Sequence, residues 1–129
     1  MARRSAGIVL YRFREKELQV LLLHMGGPFW KNKDEGGWTI PKGEYGEEEP
    51  PLGAAQREFV EETGFDLPEG PYRELPEIRQ SGGKRVQAYA VEGDCDPGQL
   101  DSNTFEMEWP PRSGRQQSFP EADRAAWFT

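Results

Sequence analysis

Four glutamates and an arginine stand at fixed spacing between two glycines in this 129-residue chain. The stretch opens at Gly43, passes Glu49, and closes on Arg57-Glu58-Phe59-Val60-Glu61-Glu62-Thr63-Gly64-Phe65. Glu58, Glu61 and Glu62 are spaced i, i+3 and i+4, which at about 100° per residue gathers three carboxylates on one helix face. Like charges so placed destabilise an isolated helix by about 0.2–0.5 kcal/mol per pair, and here they lie toward the negative end of its dipole. Only Arg57 compensates locally. A hard divalent cation would relieve the repulsion, because Mg²⁺ prefers oxygen ligands and completes its shell with water and substrate phosphates. The residues therefore point to metal-assisted phosphate chemistry rather than to a solvated acidic surface.

A helix must carry this face. Pro50 and Pro51 suit its first positions, where a missing N–H costs nothing. Leu52 to Thr63 are good helix formers, and Gly64 offers a left-handed stop. Leu52, Ala55 and Phe59 repeat on a neighbouring stripe, so one side can dock on a core while the other presents the carboxylates.

Gly43 to Phe65 resembles the Nudix box at every defining position, and the lead-in Pro41-Lys42-Gly43-Glu44 after Trp38 is also similar to that family. The resemblance implies an α/β fold: an α/β/α sandwich with a mixed β-sheet and the box loop–helix against it. It implies a pyrophosphohydrolase that uses Mg²⁺ or Mn²⁺ to cleave a diphosphate bond in a nucleoside diphosphate-linked compound. Carried onto this chain, it makes Glu58, Glu61 and Glu62 the metal ligands, with a further oxygen from the Lys42 carbonyl or the loop at Gly43. Arg57 would orient the glutamates, and Glu49 would support the loop–helix geometry. The lead-in leans toward members acting on dinucleoside polyphosphates or diphosphoinositol polyphosphates. A Nudix-fold module that binds a nucleotide without hydrolysing it is the alternative, although such modules usually lose box residues and this box is intact.

The remaining candidates are read from the elements around the box. Ala6 to Phe13 and Leu18 to His24 form a predicted hairpin across a charged turn, and the second strand's continuous apolar run suggests burial on both faces. Trp38-Thr39-Ile40 leads into the box. Tyr72 to Gln80 and Arg85 to Glu92 flank a glycine turn. Thr104 to Trp109 alternates, placing Glu106 and Glu108 on one side. Hydrolysis by activated water often uses a further carboxylate as ligand or general base; Glu106 is the first choice and Glu108 the second. Trp30, in a loop with Phe29, Lys31 and Lys33, offers a stacking surface for a base. Lys42 and Arg79 are the candidate phosphate-binding cations, with Lys84 and Arg85 assigned to a turn. His24 ends a buried-looking strand and reads as structural.

Bulk properties exclude several classes. The formal charge is −7, so the general field repels polyphosphate and argues against a binder of nucleic-acid polymers. Cys95 is the single cysteine, which rules out a disulfide framework within the chain and suits a reducing cytoplasm. No stretch has the length of a membrane span, and Arg12 and Arg14 break the early apolar run that a signal peptide would need. The expectation is one domain over residues 1–129; family members usually carry a further helix after the segment resembling Phe119 to Phe128, and either the protein is short or that helix is absent from these residues. It takes a small phosphate-anhydride substrate, and a homodimer is left open.

Overall fold

The computed structural model describes residues 3–31 and 36–129. Lys33 lies outside them. The first two strands, β1 (Arg4–Arg14) and β2 (Glu17–Met25), form the expected hairpin. Its turn is closed by Glu15 and Lys16, both at positive φ, the backbone twist that two-residue hairpin loops require. The short strands β3 (Trp38–Thr39) and β4 (Lys42–Glu44) pair with β2 and β1 respectively. Helix α1 (Pro51–Thr63) follows.

The single strand expected over Tyr72 to Gln80 is instead two fragments, β5 (Arg73–Glu74) and β6 (Ile78–Arg79), both paired with β7 (Arg85–Glu92). Pro76 lies between them and cannot donate to a ladder. Strands β1 and β7 run parallel, in register from Arg4↔Arg85 to Tyr11↔Glu92. Strands β8 (Thr104–Glu108) and β9 (Gln116–Pro120) make a separate two-stranded ribbon. The last strand, β10 (Ala122–Phe128), adds antiparallel to β2 and sets the main order β10-β2-β1-β7-β5.

The core lies between this mixed sheet and α1. Ala54, Ala55 and Phe59 from the helix meet Ala6, Ile8 and Leu10 of β1, Leu21 of β2, and Tyr89 and Val91 of β7. Phe59 is fully buried, and burying a side chain of that size contributes about 1.5–3 kcal/mol. The helix ends as its sequence suggests: Gly64 adopts φ 72° and donates its N–H to the Val60 carbonyl at 2.8 Å. Of the two helical layers of a sandwich, the described residues supply this one. Accordingly β2 is buried evenly on one face only. Leu21 and Leu23 are buried, whereas on the other face Leu18 is exposed, Val20 and Leu22 are half-buried, and only His24 is fully buried. No helix among the described residues is long and apolar enough to cross a membrane.

Candidate active site

The box loop and the helix meet at Gly43. Strand β4 pairs with β1 so that Gly43 faces Ala6, and the chain is thereby pressed against the second half of α1. A side chain at residue 43 would have its Cβ inside the Glu58 carboxylate; glycine is the residue that leaves this space open. One residue earlier, the Lys42 backbone N–H donates to Glu62 Oε2 at 2.9 Å. The loop thus bonds Glu62 through its backbone and lies directly against the Glu58 carboxylate.

Arg57 organises the others. Its Nε and Nη2 donate to the two oxygens of Glu49 at 2.7 and 2.9 Å, a bidentate fork of the strongest kind of side-chain pairing. Its Nη1 donates to Glu58 at 3.0 Å and Glu61 at 3.2 Å. Arg57 thereby bridges Glu49, on the loop before the helix, to two carboxylates of the helix. The fork also holds the Glu49 carboxyl below its ordinary range.

Glu62 is the most perturbed acid. Burial pushes its carboxyl up to about 8, with Glu58 and Glu121 adding repulsion and the Lys42 N–H pulling the other way. Burial also raises Glu58, against the pull of Arg57. Glu121, at the turn between β9 and β10, is raised first by partial burial and then by Glu58 and Glu61. Four carboxylates thus share one electrostatic environment, and Glu121 had no signal in the sequence beyond being an acid between two strands.

Backbone bonds place Glu121 there. The Asn103 N–H donates to the Glu61 carbonyl at 2.9 Å, and the Glu121 N–H donates to the Asn103 carbonyl at 2.8 Å. The Glu121 carbonyl accepts from the Gly26 N–H at 2.9 Å. Gly26 is pressed against the Pro120 carbonyl, where a Cβ would overlap it.

Glu106 and Glu108 do not join this group. They alternate with Phe105 and Met107 as expected, but the strand belongs to the separate ribbon, and both acids are exposed. Glu108 accepts the Arg112 N–H at 2.7 Å within the ribbon turn. Neither is among the charges that act most on Glu58, Glu62 or Glu121. The alternation is as expected, but the strand pairs with β9 and not with the main sheet.

The cations are rearranged too. Arg79 is exposed on the β6 edge opposite Arg85. Lys42 is half-buried, and its ammonium is lowered by burial and then by Lys84, with Glu62 acting in the opposite direction. Lys84, and not Arg79, therefore accompanies Lys42 beside the cluster. Trp30 is half-buried, whereas Phe29 is exposed and meets Trp109 edge to face at 5.6 Å. A cavity of about 980 Å³ lies beyond the box loop, lined by Arg3, Arg4, Tyr45, Glu49 and Arg85 among others, but not by Glu58, Glu61 or Glu62.

The family model of the NUDIX domain matches residues 1–129. The chain belongs to the Nudix family. Solved Nudix structures share its fold. A MutT/nudix family protein from Enterococcus faecalis superposes with a TM-score of 0.67 at 19% identity, covering 99% of this chain and 44% of that one; the chain spans less than half of that protein. The NUDIX domain of Shewanella oneidensis NrtR, solved with ADP ribose, gives 0.64 at 16% identity over 99% and 73% of the two chains. A C. elegans Ap4A hydrolase in a binary complex gives 0.58 at 20% identity over 95% and 77%. At these identities the likeness shows the fold alone. No curated protein matches the sequence.

The donor set of this Nudix domain suits a hard cation, being all oxygen and mutually repelling. The open space at Gly43 lets a backbone carbonyl and the Glu58 carboxylate approach each other. The cage is not preformed: among the described residues no three acid, histidine or cysteine side chains converge as ion ligands, because Glu58 and Glu61 turn to Arg57 and Glu62 turns to the Lys42 N–H.

Proposed function

We propose that this Nudix domain hydrolyses a diphosphate bond in a nucleoside diphosphate-linked compound, with Mg²⁺ or Mn²⁺ held by Glu58, Glu61, Glu62 and the loop at Gly43. The observation that carries the reading is the half-buried Glu62 carboxylate, which accepts the Lys42 N–H at 2.9 Å and is pushed up to about 8 by burial and by Glu58 and Glu121. An acid that stays so raised despite the nearby Lys42 is the pattern expected of a functional site. The cation, when bound, supplies Lewis-acid polarisation of a phosphoryl oxygen and offsets its charge.

The chain's own residues supply the rest. Arg57 releases Glu58 and Glu61 toward the cation while Glu49 retains its guanidinium. Lys42 and Lys84 repel each other, and a phosphate bound by both would relieve that repulsion. Glu121 is the general base: its raised carboxyl accepts the proton of the attacking water, as phosphoryl transfer asks mainly for positioning and charge neutralisation. Phe29, exposed and edge to face with Trp109, offers aromatic surface on which a nucleobase would stack. That ADP ribose accompanies one relative and that another is an Ap4A hydrolase supports the same substrate class.

The second reading is a module that binds a nucleotide without cleaving it. The Arg57 grip on Glu58 and Glu61 favours it. One experiment separates the two: a panel of nucleoside triphosphates, dinucleoside polyphosphates, ADP-ribose, nucleotide sugars and a diphosphoinositol polyphosphate, with Mg²⁺ and product masses as readout. Turnover abolished by Glu62→Gln supports the hydrolase. Tight binding without any turnover overturns it in favour of the sensor.

A further inference from the structure

We propose that His24 and Asp123 are a positioning pair that fixes the Glu121 carboxylate against the helix cluster. The inference rests on the reading of Glu121 as the base. His24 is fully buried, and its Nδ1 lies 2.8 Å from Asp123 Oδ1. The imidazole packs edge to face on Trp38 at 5.2 Å. A buried ring nitrogen needs a hydrogen-bond partner, and Asp123 can supply one only because the strand is irregular where it sits.

In β10, Ala122 pairs with Met25 and Arg124 pairs with His24. Two steps on β10 therefore answer one step on β2, and Asp123 is the extra residue of a bulge. Bulges re-aim side chains next to functional sites. With regular pairing, a one-residue slip would turn every neighbouring side chain to the opposite face, Glu121 among them. The bulge is locked from one side by the bond to His24. From the other it is locked by Ser102 Oγ, which lies 3.1 Å from the Ala122 carbonyl and 3.2 Å from its N–H. Between these locks and the backbone ties of Glu121 to Asn103 and Gly26, the carboxylate has one register available to it. His24 touches none of the reacting groups; it acts through the bulge.

The Gly26 amide, donor to the Glu121 carbonyl, reports the register without requiring catalysis. In the full chain, His24→Ala should speed hydrogen exchange at Gly26 by about tenfold or more and leave the α1 amides unchanged. With Mg²⁺ and the substrate found by the panel, kcat should fall by about 10–100-fold, the scale of lost outer-shell partners, while KM stays within about threefold. His24→Asn, which keeps a donor near the Nδ1 position, should restore most of both. On a Glu121→Gln background, His24→Ala should cost nothing further, because its effect runs through that carboxylate. Should His24→Ala not fold, Asp123→Ala is read by the same measurements. Wild-type protection at Gly26 in a folded variant overturns the proposal, as does a kcat loss that multiplies with Glu121→Gln. If the wild-type protein turns over no compound of the panel, the hydrolase reading fails instead, and Gly26 exchange decides the positioning pair by itself.

Discussion

Two regions converge on the carboxylate cluster, and they are built differently. The box side is one continuous stretch, Gly43 to Phe65, in which loop, helix and four of the acids are neighbours in sequence. The Glu121 side is assembled from Gly26, Asn103, Glu121 and, one step out, His24 and Asp123, tied by backbone bonds and one buried pair. The first is fixed by helical periodicity and one arginine fork. The second is fixed by strand register, which depends on the whole sheet being in place. A locally built half tolerates distant change, whereas a register-built half is as exact as its weakest pairing.

The comparison is tested most severely on the box side. Glu62→Gln should lower turnover by more than about 10³-fold, since it removes both a ligand and the most strained acid of the site. Steady-state kinetics with Mg²⁺ checks this, and a loss below tenfold would remove Glu62 from the centre of the mechanism. On the other side, Glu121→Gln should cost about 10²-fold in kcat, the lower end of general-base contributions. Glu106→Gln and Glu108→Gln should stay within about twofold, because both acids belong to the separate ribbon. The opposite ranking would return the base to β8. Arg57→Lys comes next, at about tenfold: a lysine keeps the charge but cannot hold Glu49 bidentately while also reaching Glu58 and Glu61.

The same contrast explains what could be read from the residues alone. The helix, its glycine stop, the apolar stripe with Ala55 and Phe59, and the hairpin were legible because each follows from local spacing. The fork between Arg57 and Glu49 was not legible from spacing; the roles of the two residues came from the resemblance. Strand β10 was not, because Ala122-Asp123-Arg124-Ala125-Ala126 carries no β-branched or alternating signal and becomes a strand by pairing with β2. Nor was the place of the late acids: Glu106 lies on the separate ribbon, whereas Glu121 lies at the turn from that ribbon into the main sheet, which is a property of topology rather than of composition. The burial of His24 was legible from its strand, but its partner Asp123 lies 99 residues away, beyond the reach of any local pattern.

The smallest effect concerns stability and separates the two halves by pH. Glu62 is raised to about 8 in the folded protein, above the ordinary value near 4.5 that it takes when unfolded. Between these values the native state binds more protons than the unfolded chain, so stability should fall as pH rises from about 4.5 to 8. Glu58 and Glu121 are shifted in the same direction. Glu49, lowered by Arg57, acts in the opposite sense, but only as pH falls below its unfolded value, outside this window. With a chelator present, the melting temperature should therefore drop by about 5 °C across the window. Glu62→Gln should remove most of the slope, whereas Glu121→Gln should remove a smaller part. A divalent cation should flatten the wild-type curve by binding the charged form. A melting temperature that rises from pH 5 to 8 in the chelated protein would mean that the helix carboxylates are already compensated within the chain, and the case for a cation at Gly43 would lose its physical basis.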